Sequence, residues 1–149
     1  MKKRDNYRFA EKCLYEYPSN CSKLLSLEQE LALVCGSSDA RGHSYNVGEN
    51  VCGVHSDPVA SFIEHKMRLE YRINYVRRYT EPITRLVNDF NSSNVLENSK
   101  KNDCRKILKL FYFGRNSVDT VLGELNCCRT VFYERRKFLV TSAIQYLGL

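Results

Sequence analysis

A heptad pattern of apolar side chains constrains the fold of this chain more than any other feature. One row recurs every seven residues and comprises Phe62, Leu69, Val76, Ile83 and Phe90, and the companion row comprises Val59, Ile73 and Val87. The predicted interaction seam comprises Phe62, Leu69, Ile73, Val76, Ile83 and Phe90. Such a repeat is typical of a helix that buries a seam against another helix. The sequence therefore predicts a long, coiled-coil-like helix over residues 57–97. The seam can pair with N-terminal helices of the same chain or with a second copy in a homodimer.

Capping residues and prolines predict where this long helix begins and where it is disturbed. Ser56 or Asp57 can cap its start, and Pro58 suits the first helical position, where its missing N–H costs nothing. Pro82 lies inside the heptad pattern, and an internal proline removes one helical hydrogen bond. We expect either a kink at Pro82 or a break, with Thr80 capping a new helix.

The first 56 residues predict a helical arm followed by a linker. A short helix over residues 6–17 is expected to stop at Pro18, and a second, leucine-rich helix is expected to end at Gly36. Residues 1–35 are thus predicted to form an N-terminal helical arm. Residues 36–56 contain four of the seven glycines and no sustained periodicity, so they are predicted to form a flexible linker.

The net charge of +6 is concentrated in the last third of the chain. Residues 1–56 carry seven cationic and seven acidic side chains, and residues 57–97 carry six of each. Residues 98–149 carry ten cationic side chains and only four acidic ones. A cationic excess confined to one segment is typical of a module that binds a polyanion, because neutralising phosphates supplies most nonspecific affinity.

Turn and cap residues predict how this basic segment folds. A helix over DCRKILKLFYF is expected to end at Gly114, and Ser117 is expected to cap a short helix after it. Asn126 then supplies a residue that tolerates positive φ in a tight turn. A long basic helix is expected to run from Cys128 to Gly148. The sequence as a whole predicts an all-α fold that ends in a helix-turn-helix over residues 98–149.

Residues 104–148 resemble region 4 of sigma factors, most clearly in the pieces ILKLFYF, LGELNCCRTVFY and AIQYLG. With the SDPV helix start and the N-terminal LYEY segment, the chain resembles the phage-encoded late transcriptional regulators of the ArpU and RinA type. The resemblance implies a sequence-specific DNA-binding regulator that activates phage or prophage late genes and contacts RNA polymerase. The sequence departs from the region 4 pattern at Thr120, at Leu122 and at Cys128, where a capping serine is common.

The helical wheel of residues 128–148 predicts which side chains contact double-stranded DNA. With Phe132, Leu139 and Ala143 turned inward, one set of residues faces outward near the helix start. The candidates for base contacts are Arg129, Thr130, Tyr133, Glu134 and Lys137. The candidates for phosphate contacts are Arg135, Arg136, Lys109 and Arg115.

Cysteine and histidine positions give little indication of a metal site or a disulfide framework. The seven cysteines form no CxxC pair, and an odd count favours free thiols. Cys35, His43, Cys52 and His55 carry atoms that bind zinc, but only Cys52 and His55 have the close spacing of a zinc knuckle. We therefore expect no metal and no other cofactor.

Several function classes are disfavoured by what the sequence lacks. It has no apolar run of the length that crosses a bilayer, and its N-terminus lacks the apolar stretch of a secretory signal. We expect a protein of the bacterial cytoplasm, associated with the nucleoid. The sequence contains no glycine loop of phosphate-binding form and no catalytic pairing of acids and histidines, so an enzyme is not expected.

Two alternatives to a regulator follow from the same pattern. A DNA-packaging recognition subunit, similar to a small terminase, also joins a helix-turn-helix to helical oligomerisation segments and would form a ring of many copies. A helical protein-interaction module would use the seam over residues 59–90 to bind a partner helix, with the basic segment serving only the structure.

Overall fold

A computed structural model describes residues 3–39, 58–92 and 99–149 of the chain. Its regular elements are α1 (Lys3–Asp39), α2 (Pro58–Ser92), α3 (Ser99–Ile107), a π-helical segment (Leu108–Phe113), α4 (Val118–Leu125) and α5 (Arg129–Leu147). These described ranges contain no strand. The predicted all-α fold is confirmed. None of the described helices is long and apolar enough to cross a lipid bilayer.

The N-terminal region departs from the expected pair of short helices. Helix α1 continues through Pro18 and past Gly36 to Asp39, so the predictions that these residues end helices are wrong. Proline removes one hydrogen bond, but Leu14 and Leu27 are buried on either side of it, and burial on both flanks offsets that loss. The predicted linker therefore begins inside a helix, and residues 40–57 lie outside the described part of the chain.

Helix α2 starts where the sequence predicted and is continuous through its internal proline. Pro58 is its first residue, which confirms that prediction, and the helix continues through Pro82 to Ser92. A break with Thr80 as a new cap is therefore wrong. Thr80 is instead a buried helical residue whose carbonyl accepts a 3.0 Å hydrogen bond from the Thr84 hydroxyl.

The chain divides into two compact units, and one of them joins the two ends of the sequence. The N–C unit comprises Met1–Cys21 and Arg78–Leu149, and the middle unit comprises Ser22–Arg77. Helices α1 and α2 each contribute to both units. The expected boundaries at residues 36, 57 and 98 were drawn where composition changes along the chain, whereas the units are defined by contacts in space.

In the middle unit, the central residues of the predicted seam are buried within the chain. Leu69, Ile73 and Val76 of α2 pack with Leu27 of α1, and Leu24, Leu31 and Val34 of α1 lie partly buried against them. Phe62 is half-buried. The choice that the heptad pattern left open is thus settled for this part of the seam, which pairs with a helix of the same chain.

In the N–C unit, the first half of α1 completes the core of the basic segment. The fully buried side chains of this core include Leu14, Ile83, Leu86, Ile107, Tyr112, Val121, Phe132 and Leu139. The ring centroids of Tyr15 and Tyr112 are 4.7 Å apart, and those of Phe111 and Phe132 are 5.4 Å apart. Residues 98–149 therefore do not form a separate module, because side chains of α1 cover their aromatic core.

Candidate nucleic-acid interface

The connection between α4 and α5 is built by local residues that the sequence marks clearly. The Ser117 hydroxyl accepts a 3.2 Å hydrogen bond from the Thr120 amide, which confirms it as the cap of α4. Asn126 adopts the left-handed conformation at φ 49°, and its amide donates to the carbonyls of Leu122 and Gly123. The predicted Asn-centred tight turn is confirmed, and it brings the start of α5 close to α4.

Helix α5 begins without a side-chain cap. Cys128 occupies the capping position with extended backbone and makes no capping hydrogen bond, as expected from the poor capping ability of cysteine. At the other end, Gly148 ends the helix in the left-handed conformation at φ 69°. The start of α5 is therefore less strongly held than its end.

Replacing Cys128 with serine is expected to stabilise the protein. The backbone already has the conformation of a capping residue, so a hydroxyl can accept a first-turn amide hydrogen bond without rearrangement. The expected gain in the free energy of unfolding is about 0.5–1 kcal/mol, measured by urea denaturation. Cys128→Ala is the matched control and is expected to show no gain; equal stabilisation by both variants would contradict the capping explanation.

The inward face of α5 agrees with the helical wheel. Phe132, Leu139, Val140 and Ala143 are all completely buried. This arrangement fixes the rotation of the helix about its axis, so the residues on the opposite face must point to solvent. The five predicted base-contacting residues are indeed all exposed: Arg129, Thr130, Tyr133, Glu134 and Lys137.

One of these exposed residues has a partner on the preceding helix. The Arg129 guanidinium donates a 2.8 Å hydrogen bond to the Asp119 carboxylate near the start of α4. This hydrogen bond raises the pKa of Arg129, with the charge of Asp119 adding to the effect. Both side chains are exposed, so the pair orients Arg129 weakly and leaves the guanidinium accessible to a polyanion.

The four predicted phosphate-contacting residues fall into two groups. Lys109 and Arg115 are exposed. The Arg135 and Arg136 side chains are each only 24% exposed, and each is paired with an acid. Arg135 donates a 3.4 Å hydrogen bond to Asp103. Of the four, only Lys109 and Arg115 therefore present an exposed cation to solvent.

Arg136 belongs to an internal polar network that the sequence did not predict. Its Nε and terminal nitrogen donate to Glu11 of α1 at 2.9 and 2.6 Å, and the Tyr112 hydroxyl donates to the same carboxylate oxygen at 3.1 Å. Burial opposes the charged form of Arg136, but the hydrogen bonds and charge interactions with Glu11 and Tyr112 together outweigh it and raise the pKa of Arg136. We therefore replace the predicted phosphate contact with a structural role that joins α1 to α5.

The described thiols that are most deeply buried are not reactive groups. Burial raises the pKa of Cys13 and of Cys104 to about 11, so both remain protonated at neutral pH and are poor nucleophiles. No group of three metal-binding side chains occurs among the described residues. His43, Cys52 and His55 of the zinc candidate lie outside the described part of the chain.

The fold and this surface define an all-helical protein with an exposed, charged face at the start of its last helix. The chain belongs to the family DUF1492, described as a protein of unknown function, and the match covers residues 63–147. This range extends from the first turns of α2 to the end of α5. No significant match to the chain was found among curated proteins or among solved structures.

Proposed function

We propose that this protein is a sequence-specific DNA-binding transcriptional regulator in which α4, the Asn126 turn and α5 act as a helix-turn-helix. The observation that carries the proposal is the outward face of α5. Its exposed charged residues, Arg129, Glu134 and Lys137, all lie in the first half of the helix, after the tight turn and within the segment that holds the whole cationic excess. The N-terminal end of a recognition helix is the part that enters the major groove.

The side chains on this face have the chemistry to read bases. Arginine donates two hydrogen bonds to guanine, threonine contacts the thymine methyl, and glutamate accepts from the cytosine amino group. Arg129, Thr130 and Glu134 supply these three functions, with Tyr133 and Lys137 beside them. Lys109 and Arg115, which are exposed cations of the same unit, are proposed to hold phosphates.

The resemblance to the ArpU and RinA regulators extends this proposal to a biological setting. The DNA target would be a promoter-proximal site of a phage or prophage, the effect would be activation of late genes, and the protein would act on the nucleoid of a bacterial host beside RNA polymerase. The burial of Leu69, Ile73 and Val76 against α1 bears on the alternatives, because neither a ring of copies nor a partner helix can use that stretch of the seam.

The proposal is tested by titrating labelled promoter fragments with the purified protein and following fluorescence anisotropy. We expect salt-dependent binding, and we expect Arg129→Ala combined with Lys137→Ala to weaken binding to the preferred fragment about 10–100-fold through lost base and phosphate contacts. Asp119→Asn is expected to strengthen binding, because it releases Arg129 and removes an acid from the surface.

Arg78→Ala combined with Arg85→Ala is the matched control, since it removes the same charge from exposed positions of α2. This control is expected to bind DNA nearly as the unaltered protein does. The proposed function is overturned if no fragment shows salt-dependent binding, or if the two double variants weaken binding equally.

A further inference from the structure

The N–C unit contains an open cleft outside the face of α5 described above. The cleft has a volume of about 550 Å³ and lies between the first half of α1 and the region from Phe111 to Asn116. Its walls include three cations, Arg8 and Lys12 of α1 and Arg115 of the turn before α4. The helical wheel of the basic segment does not predict this site, because two of its cations come from the other end of the chain.

The cleft offers positive charge because its three cations outnumber its two acids, and one of those acids, Glu11, is paired with residues other than these cations. Glu11 accepts hydrogen bonds from Arg136 and Tyr112, which compensate its carboxylate. Glu16 lies 3.7 Å from Lys12, and both side chains are exposed, so this pair contributes little and exchanges readily for a stronger anion. Arg8 and Arg115 are exposed and form no ion pair within the described residues.

The turn that carries Arg115 is held by hydrogen bonds in an uncommon backbone conformation. Arg115 has a φ of 52°, a left-handed backbone that costs a non-glycine residue roughly 1 kcal/mol. Hydrogen bonds on both sides hold it there, since the Gly114 amide donates to Lys109 at 2.9 Å and the Asn116 amide donates to Leu110 at 3.0 Å. Strain that the surrounding structure maintains is often associated with a functional position.

The cleft adjoins the surface that is proposed to face DNA. Glu11, which lines the cleft, accepts hydrogen bonds from Arg136. The Arg136 guanidinium lies 6.0 Å from the centre of the Tyr133 ring. The same guanidinium lies 5.4 Å from the centre of the Phe111 ring, which lines the cleft. Arg136 thus connects the cleft to the exposed residues at the start of α5.

We propose that this cleft binds phosphates of the DNA backbone through Arg8, Lys12 and Arg115. Guanidinium and ammonium groups form charge-assisted hydrogen bonds with phosphate oxygens, and an open cleft admits a continuous strand. The inference rests on the proposed function and deepens it, because it makes α1 part of the DNA-binding surface. Such contacts position the protein on duplex DNA without reading its sequence.

The test compares the salt dependence of binding for four forms of the full chain: the unaltered protein, a cleft variant, a control variant and a variant that keeps the cations. In the cleft variant, Arg8→Gln and Lys12→Gln are combined with Arg115→Asn, because asparagine tolerates the left-handed backbone. The slope of log Kd against log salt is expected to fall by about 1–2, with similar losses of affinity for preferred and random duplexes. A control with Lys23→Gln, Arg78→Gln and Arg85→Gln loses the same charge from other exposed positions of α1 and α2.

A fourth form, with Arg8→Lys and Arg115→Lys, keeps the cations and is expected to keep the slope; loss of the slope in this form would contradict the electrostatic role. If the unaltered protein binds DNA while the cleft variant matches the control in slope and affinity, the cleft inference fails and the proposed function stands. If the unaltered protein binds no duplex, both fail. Circular dichroism melting of each variant tests whether a difference in binding reflects unfolding.

Discussion

Replacing Glu11 with alanine is expected to lower the free energy of unfolding by about 2–4 kcal/mol, because a largely buried charge loses its partner. The Glu11 and Arg136 side chains are 19% and 24% exposed, and the carboxylate also accepts the hydroxyl hydrogen bond of the fully buried Tyr112. Without the carboxylate, the guanidinium keeps its desolvation cost, and the hydroxyl loses its acceptor.

Urea denaturation followed by far-UV circular dichroism measures this change. The matched control is Glu16→Ala, which lies five residues further along α1 and removes an acid from an exposed pair; its expected effect is below about 0.5 kcal/mol. Glu11→Leu combined with Arg136→Met removes both charges and is expected to be less destabilising than Glu11→Ala alone. Equal effects of Glu11→Ala and Glu16→Ala would contradict the proposed structural role of the network.

Replacing Phe132 with alanine is expected to lower the free energy of unfolding by about 3–5 kcal/mol, which is the usual cost of removing a buried aromatic ring. The side chain is completely buried, and its ring packs edge-on against Phe111 in the same core as Tyr112 and Leu139. The loss leaves a cavity at the point where α5 joins the rest of the N–C unit.

The adjacent residue provides the matched control for this prediction. Tyr133→Ala also removes an aromatic ring, but that ring is 49% exposed, so the expected destabilisation is below about 1 kcal/mol. The proposed function adds a second readout, since Tyr133→Ala is expected to weaken DNA binding while the protein remains folded. Similar destabilisation by the two substitutions would show that the assigned rotation of α5 is incorrect.

The sequence predicted best those features that depend on a few neighbouring residues. Ser117, Asn126 and Gly148 were each assigned the local role that the structure gives them, because capping and left-handed turns are governed by adjacent backbone groups. The buried face of α5 was also predicted, since a period of 3.6 residues determines which side chains share a face.

The errors occurred where local signals compete with packing. Pro18 and Gly36 are strong helix-ending residues, yet α1 continues past both. Likewise, the break that was one of two alternatives at Pro82 does not occur, because α2 continues through it, with the buried residues Ile83 and Leu86 after it. A proline inside a helix destabilises it by about 3 kcal/mol. The free energy gained by burying apolar side chains on both sides of the proline exceeds this loss. A sequence pattern shows that a proline weakens the helix, but it does not show the tertiary contacts of the flanking apolar side chains that offset this loss.

Sequence patterns are sufficient to predict that the chain is helical, where its heptad seam lies, how α4 connects to α5, and where its positive charge is concentrated. The packing of the helices adds that the middle of the seam pairs with α1, that the first half of α1 completes the core of the basic segment, and that Arg136 hydrogen-bonds to Glu11. The two sets of features differ in the sequence distance over which their interactions act. Periodicity, capping and charge act between near neighbours in sequence, whereas Glu11 and Arg136 are separated by 125 positions and meet only after the helices pack.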